Sequence, residues 1–478
     1  MSATTELLTF FLTLIKLVKW LMAIEFKSFL LLFLKKNPPP MSRILKTIFL
    51  LSSFLFLDFA TQSTLSSANS EASHSDCFNC ATPRFSNADF NSESFKTIDG
   101  KVERFMHEWN LKGVSVAIAK DGKLLLARGY GFADIDKQTP VEPYSRFRVA
   151  SISKLVTAAA IMRLVEDNKI CLDQKVFGPQ GILTDSTYGK PKDARMYDIT
   201  IRELLNHSGG WSARYGDQMF MSDYISQQLG VPKPLKLNDI IRFVFTKSLH
   251  FKPGTHSSYS NFGYALLGKV IEKITNIPYE QYVEVNLLKP LGINSMAIGH
   301  STRDSLFSDE VSYYEVPEAK KIEPFNSNGH LVSKSNGGYD IKTLGAAGGW
   351  VANSVDLIKL GLALDGDKSV PDLIPQNLVD TMIIRPKGFL PIGWIRATDE
   401  GRLVRTGNFA GTSAILVKEP DGVCWVFLTN TSPWVGSKFP SKISNFMHGV
   451  LKSLPELDYA DSYSFKNDEE LPAEETTN

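Results

Sequence analysis

The chain is poor in cysteine, with four in 478 residues: Cys77, Cys80, Cys171 and Cys424. That excludes a disulfide-built scaffold at this length. Cys77 and Cys80 form a lone CxxC with no second pair, so a local disulfide is expected and a zinc site is not. Charge of one sign is also missing. Lys and Arg number 52 against 51 Asp and Glu, a net charge of +1, which leaves no general attraction to nucleic acid. Neither HExxH nor Gly-x-Ser-x-Gly occurs. Their absence argues against a zinc peptidase and against the nucleophile elbow of an α/β-hydrolase. No repeat of solenoid or propeller period is present. What remains is 43% hydrophobic and 22% charged, an ordinary globular balance.

Uncharged apolar runs of membrane-spanning length are scarce too. Leu7 to Leu34 is rich in Leu and Phe but is broken by Lys16, Lys19, Glu25 and Lys27, which makes it a poor span. Lys35, Lys36 and Pro38-Pro39-Pro40 end it. Met41 then opens a second unit. Arg43 and Lys46 supply a basic region, Ile48 to Phe56 an apolar stretch, and Ser66-Ser67-Ala68 a cleavage site. This is the pattern of a secretory signal. The competing reading is membrane attachment through residues 1–60, with the basic 35–46 loop inside. Either way the expected location is secreted, or membrane-anchored facing the lumen or exterior. Residues 1–92 thus read as leader and linker, and 93–455 as one domain with a helical subdomain inserted within about 165–345. Residues 456–478 read as an acidic disordered tail.

Within the domain, two hairpins stand out. Asp121-Gly122 separates the apolar runs 113–119 and 123–128, and Pro420-Asp421-Gly422 separates 413–418 from 423–429. Helical spacing covers Ile98 to Trp109, Leu237 to Phe245, Tyr264 to Ile274, Asp356 to Leu364 and Ile443 to Leu451. Residues 199–210 read as a helix ending in glycine, with His207 near its end and given no chemical role. Gly129-Tyr130-Gly131 lacks the third glycine of a dinucleotide fingerprint and reads as a strand-end turn. Asn206-His207-Ser208 and Asn430-Thr431-Ser432 match the glycosylation sequon, which needs an accessible loop; the first lies too close to packed structure.

Three short stretches carry chemistry. In the first, Ser151 precedes the apolar stripe Ile152, Leu155, Val156, Ala159 and Met162, so it opens a helix with one buried face. Lys154 follows one turn later on the face of Ser151. Burial would lower the lysine pKa and make it a candidate base for the serine. In the second, Tyr259-Ser260-Asn261, a tyrosine near two cations can become a phenolate and take the serine proton. Asn261 can hold the lysine and a substrate carbonyl. The third is Arg405-Thr406-Gly407, on a strand. Its glycine lets substrate lie against the strand edge, and the N–H of Asn408 beyond it can face an oxyanion.

In this order the three stretches resemble those of the serine β-lactamase and penicillin-binding-protein superfamily, in its class C-like branch with DD-peptidases and β-lactamase-like esterases. The likeness runs from about Phe95 to Leu454. It includes Gly129-Tyr-Gly-Phe-Ala133, Phe147 to Lys154, Leu204-Leu-Asn-His-Ser-Gly209, Ala347-Gly-Gly349 with Asp356, and Gly393-Trp394. The resemblance implies an α+β fold: a mainly antiparallel sheet flanked by helices, with an inserted helical domain and the site in the cleft. It implies Ser151 as acylated nucleophile, Lys154 and Tyr259 sharing the proton, Asn261 in support, and the N–H groups of Ser151 and Asn408 as oxyanion hole. It implies a small-molecule or peptide substrate, and no cofactor, metal or nucleic acid. The alternative is a catalytically inactive binding or assembly protein on the same fold.

Arg405 departs from the Lys or His usual there. It keeps the positive charge, and its fork suits a carboxylate close to the scissile bond. For the leader, N-terminal sequencing of secreted protein is expected to find a start between Thr61 and Asn69. Intact chain in a cytosolic fraction would contradict the signal reading.

Overall fold

The computed structural model describes residues 83–326, 329–454 and 463–465, all within the unit Cys77–Asn478. The signal and anchor expectations, the Cys77–Cys80 pair and the tail beyond 465 lie outside the described residues. Within them no helix is long and apolar enough to cross a membrane.

Seven strands form the main sheet: β1 (Gly113–Lys120), β2 (Lys123–Asp134), β3 (Thr139–Pro140), β4 (Arg396–Ala397), β5 (Leu403–Phe409), β6 (Thr412–Lys418) and β7 (Val423–Thr429). Their spatial order is β3-β2-β1-β7-β6-β5-β4, and every neighbouring pair is antiparallel. Both predicted hairpins are present. Asp121 and Gly122 turn β1 into β2 with positive φ at each residue, as a tight hairpin turn requires. At the centre, β1 pairs β7 from Val114↔Thr429 to Lys120↔Val423.

Side chains alternate between two cores because the strand period is two. On one face Val114, Val116 and Ile118 of β1 join Val423, Trp425 and Phe427 of β7. Two helices cover them, α1 (Lys96–Trp109) near the start of the domain and α7 (Phe439–Leu451) at its end. Both show the predicted one-faced burial: Ile98, Val102, Phe105 and Met106 from α1, and Phe439, Ile443, Met447 and Val450 from α7. Phe105 stacks on Phe446 with centroids 4.2 Å apart and meets Phe427 edge-on at 6.0 Å.

The other face carries Ala117, Ala119, Ala414, Leu416, Val426 and Leu428. Against them lies a larger core built from α2 (Ser153–Glu166), α3 (Leu237–Phe245), α4 (Asn261–Thr275), α5 (Ile341–Gly348) and α6 (Ser354–Leu362). Among the described residues, nothing between Glu166 and Arg396 adds a strand to the main sheet. This stretch is mostly helical, yet it shares one hydrophobic core with the sheet. α2 runs through the middle, with every residue from Ser153 to Met162 buried. Small residues allow that depth: a Cβ on Gly393 would meet Ala158 at 2.9 Å, and one on Gly268 would meet Ala346 at 2.7 Å.

Several sequence expectations need correction. Gly129-Tyr130-Gly131 lies inside β2, with Tyr130 opposite Val114, because β2 runs on to pair with β3. The helix expected over 199–210 spans only Ile201–Leu205. Asn206 is 9% exposed and Asn430 fully buried, so neither sequon presents an acceptor on the folded surface. Residues 83–92 are fixed to the domain: Asn87 Oδ1 accepts the N–H of Gly129 at 2.7 Å and Asn87 Nδ2 donates to Val141 O at 2.9 Å. Residues 463–465 return to the start of β2, where Leu124 N donates to Tyr463 O at 2.8 Å.

Trp425 sits at the centre of the α1/α7 face, fully buried, with Nε1 donating to Glu419 Oε1 at 3.0 Å. Trp425→Ala is expected to cost about 3–5 kcal/mol, read as a lowered denaturant midpoint at unchanged m-value.

Candidate active site

Ser151 sits where a short strand turns into α2. Phe147–Arg148 pairs with Trp350–Ala352, and Val149 N donates to Trp350 O at 3.0 Å. Ala150 follows with φ of 47°, a left-handed backbone that disfavours any residue with a Cβ. Ser153 holds this bend. Its hydroxyl donates to Ala150 O at 2.6 Å and accepts from Trp350 N at 3.1 Å. Ser151 thus lies in the tight turn Ala150–Ile152 at the N-terminal end of α2, where free N–H groups face a developing anion.

Lys154 is fully buried. Its Nζ donates to Ser151 Oγ at 3.2 Å, to Asn261 Oδ1 at 2.6 Å and to Ala347 O. Burial lowers its pKa, Tyr259 pulls it back up, and the Arg405 charge lowers it further; the net shift is down. The Tyr259 phenol oxygen lies 2.8 Å from Ser151 Oγ. Burial pushes this phenol up, but Lys154 and Arg405 outweigh burial and bring it down to about 8. Lys154 and Tyr259 titrate as a coupled pair. With the phenol brought down to about 8, a phenolate able to accept the Ser151 proton comes within reach close to neutral pH.

Arg405 arrives from β5. With Leu403 and Gly407 it projects to the α2 side, because the three are two apart. Its Nε donates to Ser151 O at 2.7 Å and its Nη2 to Tyr259 OH at 3.1 Å. The residue is 1% exposed. Nε and Nη2 are thus turned to the Ser151 turn and the phenol, while Nη1 has no hydrogen-bond partner among the described residues and the side chain still lines the cavity beside Ser151. Gly407 is required by close approach. A Cβ there would lie 2.0 Å from Val149 O and 3.1 Å from Ser151 N.

The outer edge of β5 follows from its register. Ile395 N donates to Val404 O at 2.9 Å, so Val404 turns its peptide groups away from β6. Thr406 and Asn408, two and four residues on, do the same. β4 pairs only with Leu403 and Val404, which leaves this edge open beside Ser151. Asn408 and Ser151 both line a cavity of ≈ 230 Å³ with Tyr259, Asn261 and Arg405. The expected oxyanion-hole pair therefore shares one cavity with the expected nucleophile and with Tyr259, while Lys154 lies buried behind Ser151 Oγ.

Two residues given no role by sequence reasoning also belong here. Asp217 Oδ2 accepts from Asn261 Nδ2 at 2.6 Å, which fixes the amide so that its oxygen faces Lys154. His207 stacks on Tyr259 with centroids 4.4 Å apart. Asp217 sits in a stretch of loops and short turns whose placement no local pattern reveals. Among the described residues, no cluster of three His, Cys, Asp or Glu side chains is arranged to hold a metal ion.

A sequence model of the Beta-lactamase family matches residues 98–441. The chain belongs to that family. Protein flp of Staphylococcus aureus (strain MW2) is 32% identical over 200 residues, 42% of this chain but only 37% of that protein. Penicillin-binding protein 4* of Bacillus subtilis (strain 168) is 25% identical over 325 residues, 64% of this chain and 65% of that one. Two solved structures share the fold. The octameric penicillin-binding protein homologue from Pyrococcus abyssi has a TM-score of 0.55 at 24% identity, covering 74% of this chain and 77% of its own. D-amino acid amidase from Ochrobactrum anthropi SV3 has a TM-score of 0.58 at 20% identity, covering 76% and 99%. Membership makes the chain one of a family of serine hydrolases, and the antiparallel sheet with flanking helices is the family's fold.

Removing a cation beside a phenol raises its pKa. Arg405→Ala is expected to shift the acid limb of Ser151 labelling by an acylating probe to higher pH, slowing it at pH 7 by about tenfold per unit. Arg405→Lys keeps the charge and should shift it less. Superimposable pH profiles for all three proteins would show that Arg405 does not set the base.

Proposed function

We propose that this protein is a serine acyl hydrolase that forms an acyl-enzyme on Ser151 from small amides or esters with an apolar group beside the scissile carbonyl. The observation that carries this reading is the phenol oxygen of Tyr259, 2.8 Å from Ser151 Oγ and brought down to about 8 by two buried cations. Tyr259 takes the Ser151 proton as Oγ attacks the carbonyl carbon. The C=O π pair moves onto oxygen, where the N–H groups of Ser151 and Asn408 receive it. The tetrahedral centre then collapses. The C–N or C–O bond breaks, and the leaving group departs with the proton from Tyr259. Water enters, loses its proton to the same phenolate and repeats the attack, freeing the acid and Ser151.

The cavity walls support the apolar preference. Beyond the polar groups they are Phe220, Leu344, Ala347, Ile395, Phe409 and Pro440. Phe220 and Phe409 each lie against Tyr339, with centroids 5.1 and 5.0 Å away. An amidase and the hydrolase EstCE1 share this fold, which accords with amide or ester turnover. A non-catalytic binding role is disfavoured by cost. Burying Lys154 and Arg405 without a carboxylate partner sacrifices stability, and a purely structural scaffold gains nothing from it.

A fluorophosphonate probe should label Ser151, located by mass spectrometry, and Ser151→Ala should abolish labelling with the fold kept. Undiminished labelling in that variant would remove Ser151 as nucleophile. Phe409→Ala should raise KM for aryl-acyl p-nitrophenyl esters by about tenfold and leave acetyl esters nearly unchanged. Equal effects on both would take Phe409 out of the acyl pocket.

A further inference from the structure

His207 has no place in the mechanism above, yet it touches the mechanism's central group. It follows the short helix Ile201–Leu205 with φ of 62°, and it is 2% exposed. Its ring lies 4.4 Å from the Tyr259 ring at 29°, and 5.0 Å from the Tyr264 ring at 36°. Its Nδ1 accepts the N–H of Ser260 at 3.1 Å, and its carbonyl accepts the N–H of Ser258 at 2.8 Å. Ser257 adds a third tie by donating its hydroxyl to Asn206 O. The backbone on both sides of Tyr259 is thus bound to residues 206 and 207.

An Nδ1 that accepts from a backbone N–H leaves the ring proton on Nε2, so the imidazole is neutral. The surroundings enforce this. Burial, then Lys154 from α2, then Arg405 from β5 push the His207 pKa well below its usual value. Tyr264 from α4 is the other titratable ring packed against it, and Asp217 lies farther off behind Asn261. A third cation here would repel the two that the phenol needs. A benzene ring would cover Tyr259 but leave the Ser260 N–H without its acceptor. An asparagine could accept that N–H and tolerate the left-handed backbone, but it would leave the ring uncovered.

We propose that His207 is a positioning residue: its ring keeps water off Tyr259 while its Nδ1 fixes the Ser260 peptide, so the phenol is held against Ser151 in a dry site. The inference rests on the acyl-transfer reading of Ser151. In a dry site the two cations act on the phenol at close to full strength. Water admitted beside the ring relieves the burial that raises the phenol and screens the cations that lower it; because the cations outweigh burial here, the phenol drifts from about 8 toward the ~10 of a free tyrosine.

The test is the pH dependence of the fluorophosphonate labelling rate at Ser151 in three proteins: wild type, His207→Asn and His207→Phe. Labelling of the wild type at Ser151 checks the underlying reading by itself. His207→Asn should move the acid limb up by one unit or more, slowing labelling at pH 7 about tenfold per unit. His207→Phe should keep the wild-type limb while its melting temperature falls. If His207→Phe fails to fold, His207→Asn decides alone. An unmoved acid limb in a folded His207→Asn protein, whatever its melting temperature, would overturn the proposal and leave His207 as packing only. A limb raised equally in both variants would also overturn it, because ring cover would then not be what matters.

Discussion

Two cations are kept out of water beside one phenol, and most of the fold serves that placement. Lys154 and Arg405 are both essentially unexposed, and buried charges are costly unless something answers them. Among the described residues no carboxylate is hydrogen-bonded to either head group. Lys154 has Ser151, Asn261 and Ala347 O, and Arg405 has Ser151 O and Tyr259. Arg405 Nη1 is left without a hydrogen-bond partner. The anion that best answers both charges is the one formed when Tyr259 loses its proton. The site is therefore poised for the deprotonated phenol, and Ser151 lies within hydrogen-bond distance of it.

Keeping that arrangement requires rigidity from three directions. α2 supplies Ser151 and Lys154 from a helix with little solvent contact. β5 supplies Arg405 and Gly407 on one face, with Gly407 close enough to Val149 that no side chain fits between. The loop before α4 supplies Tyr259 and the first residue of α4 is Asn261, and the turn at His207 ties that loop down. The bend at Ala150 stores strain that Ser153 and Trp350 hold in place, which accords with the clustering of such strain at reacting groups.

Ser151, Lys154, Tyr259, Asn261 and Arg405 were legible because each sits in a short pattern with a chemical reason for its spacing. The strands were legible through their alternation and glycine turns. The helix Leu237–Phe245, with its clean apolar stripe, was placed to the residue, and the start of Phe439–Leu451 was missed by four. What failed had non-local causes. The two bonds that Arg405 makes to Ser151 O and Tyr259 depend on β5 packing against the start of α2, which no stretch of sequence states. Asp217 and His207 touch residues 44 and 52 positions away in the chain; Asp217 lies in no motif, and His207 lies in the Leu204–Gly209 stretch of the resemblance without a spacing that assigns it a role. The buried sequon at Asn430 was hidden for the same reason, since Asn430 Nδ2 is used by Phe132 O across β1 and β2.

The β1–β7 pairing at the centre of the sheet has a consequence for synthesis. Its strands come from opposite ends of the domain, and β5 follows every helix that supplies Lys154 or Asn261. Ser151, Lys154 and Tyr259 all emerge before Arg405 and the β5 edge exist. A chain lacking β5 to β7 thus holds Ser151, Lys154 and Tyr259 without Arg405 or Asn408. Assembly must wait for contacts of very long sequence separation, which form slowly. The topology thus couples the completeness of the proposed site to the closing of the central sheet.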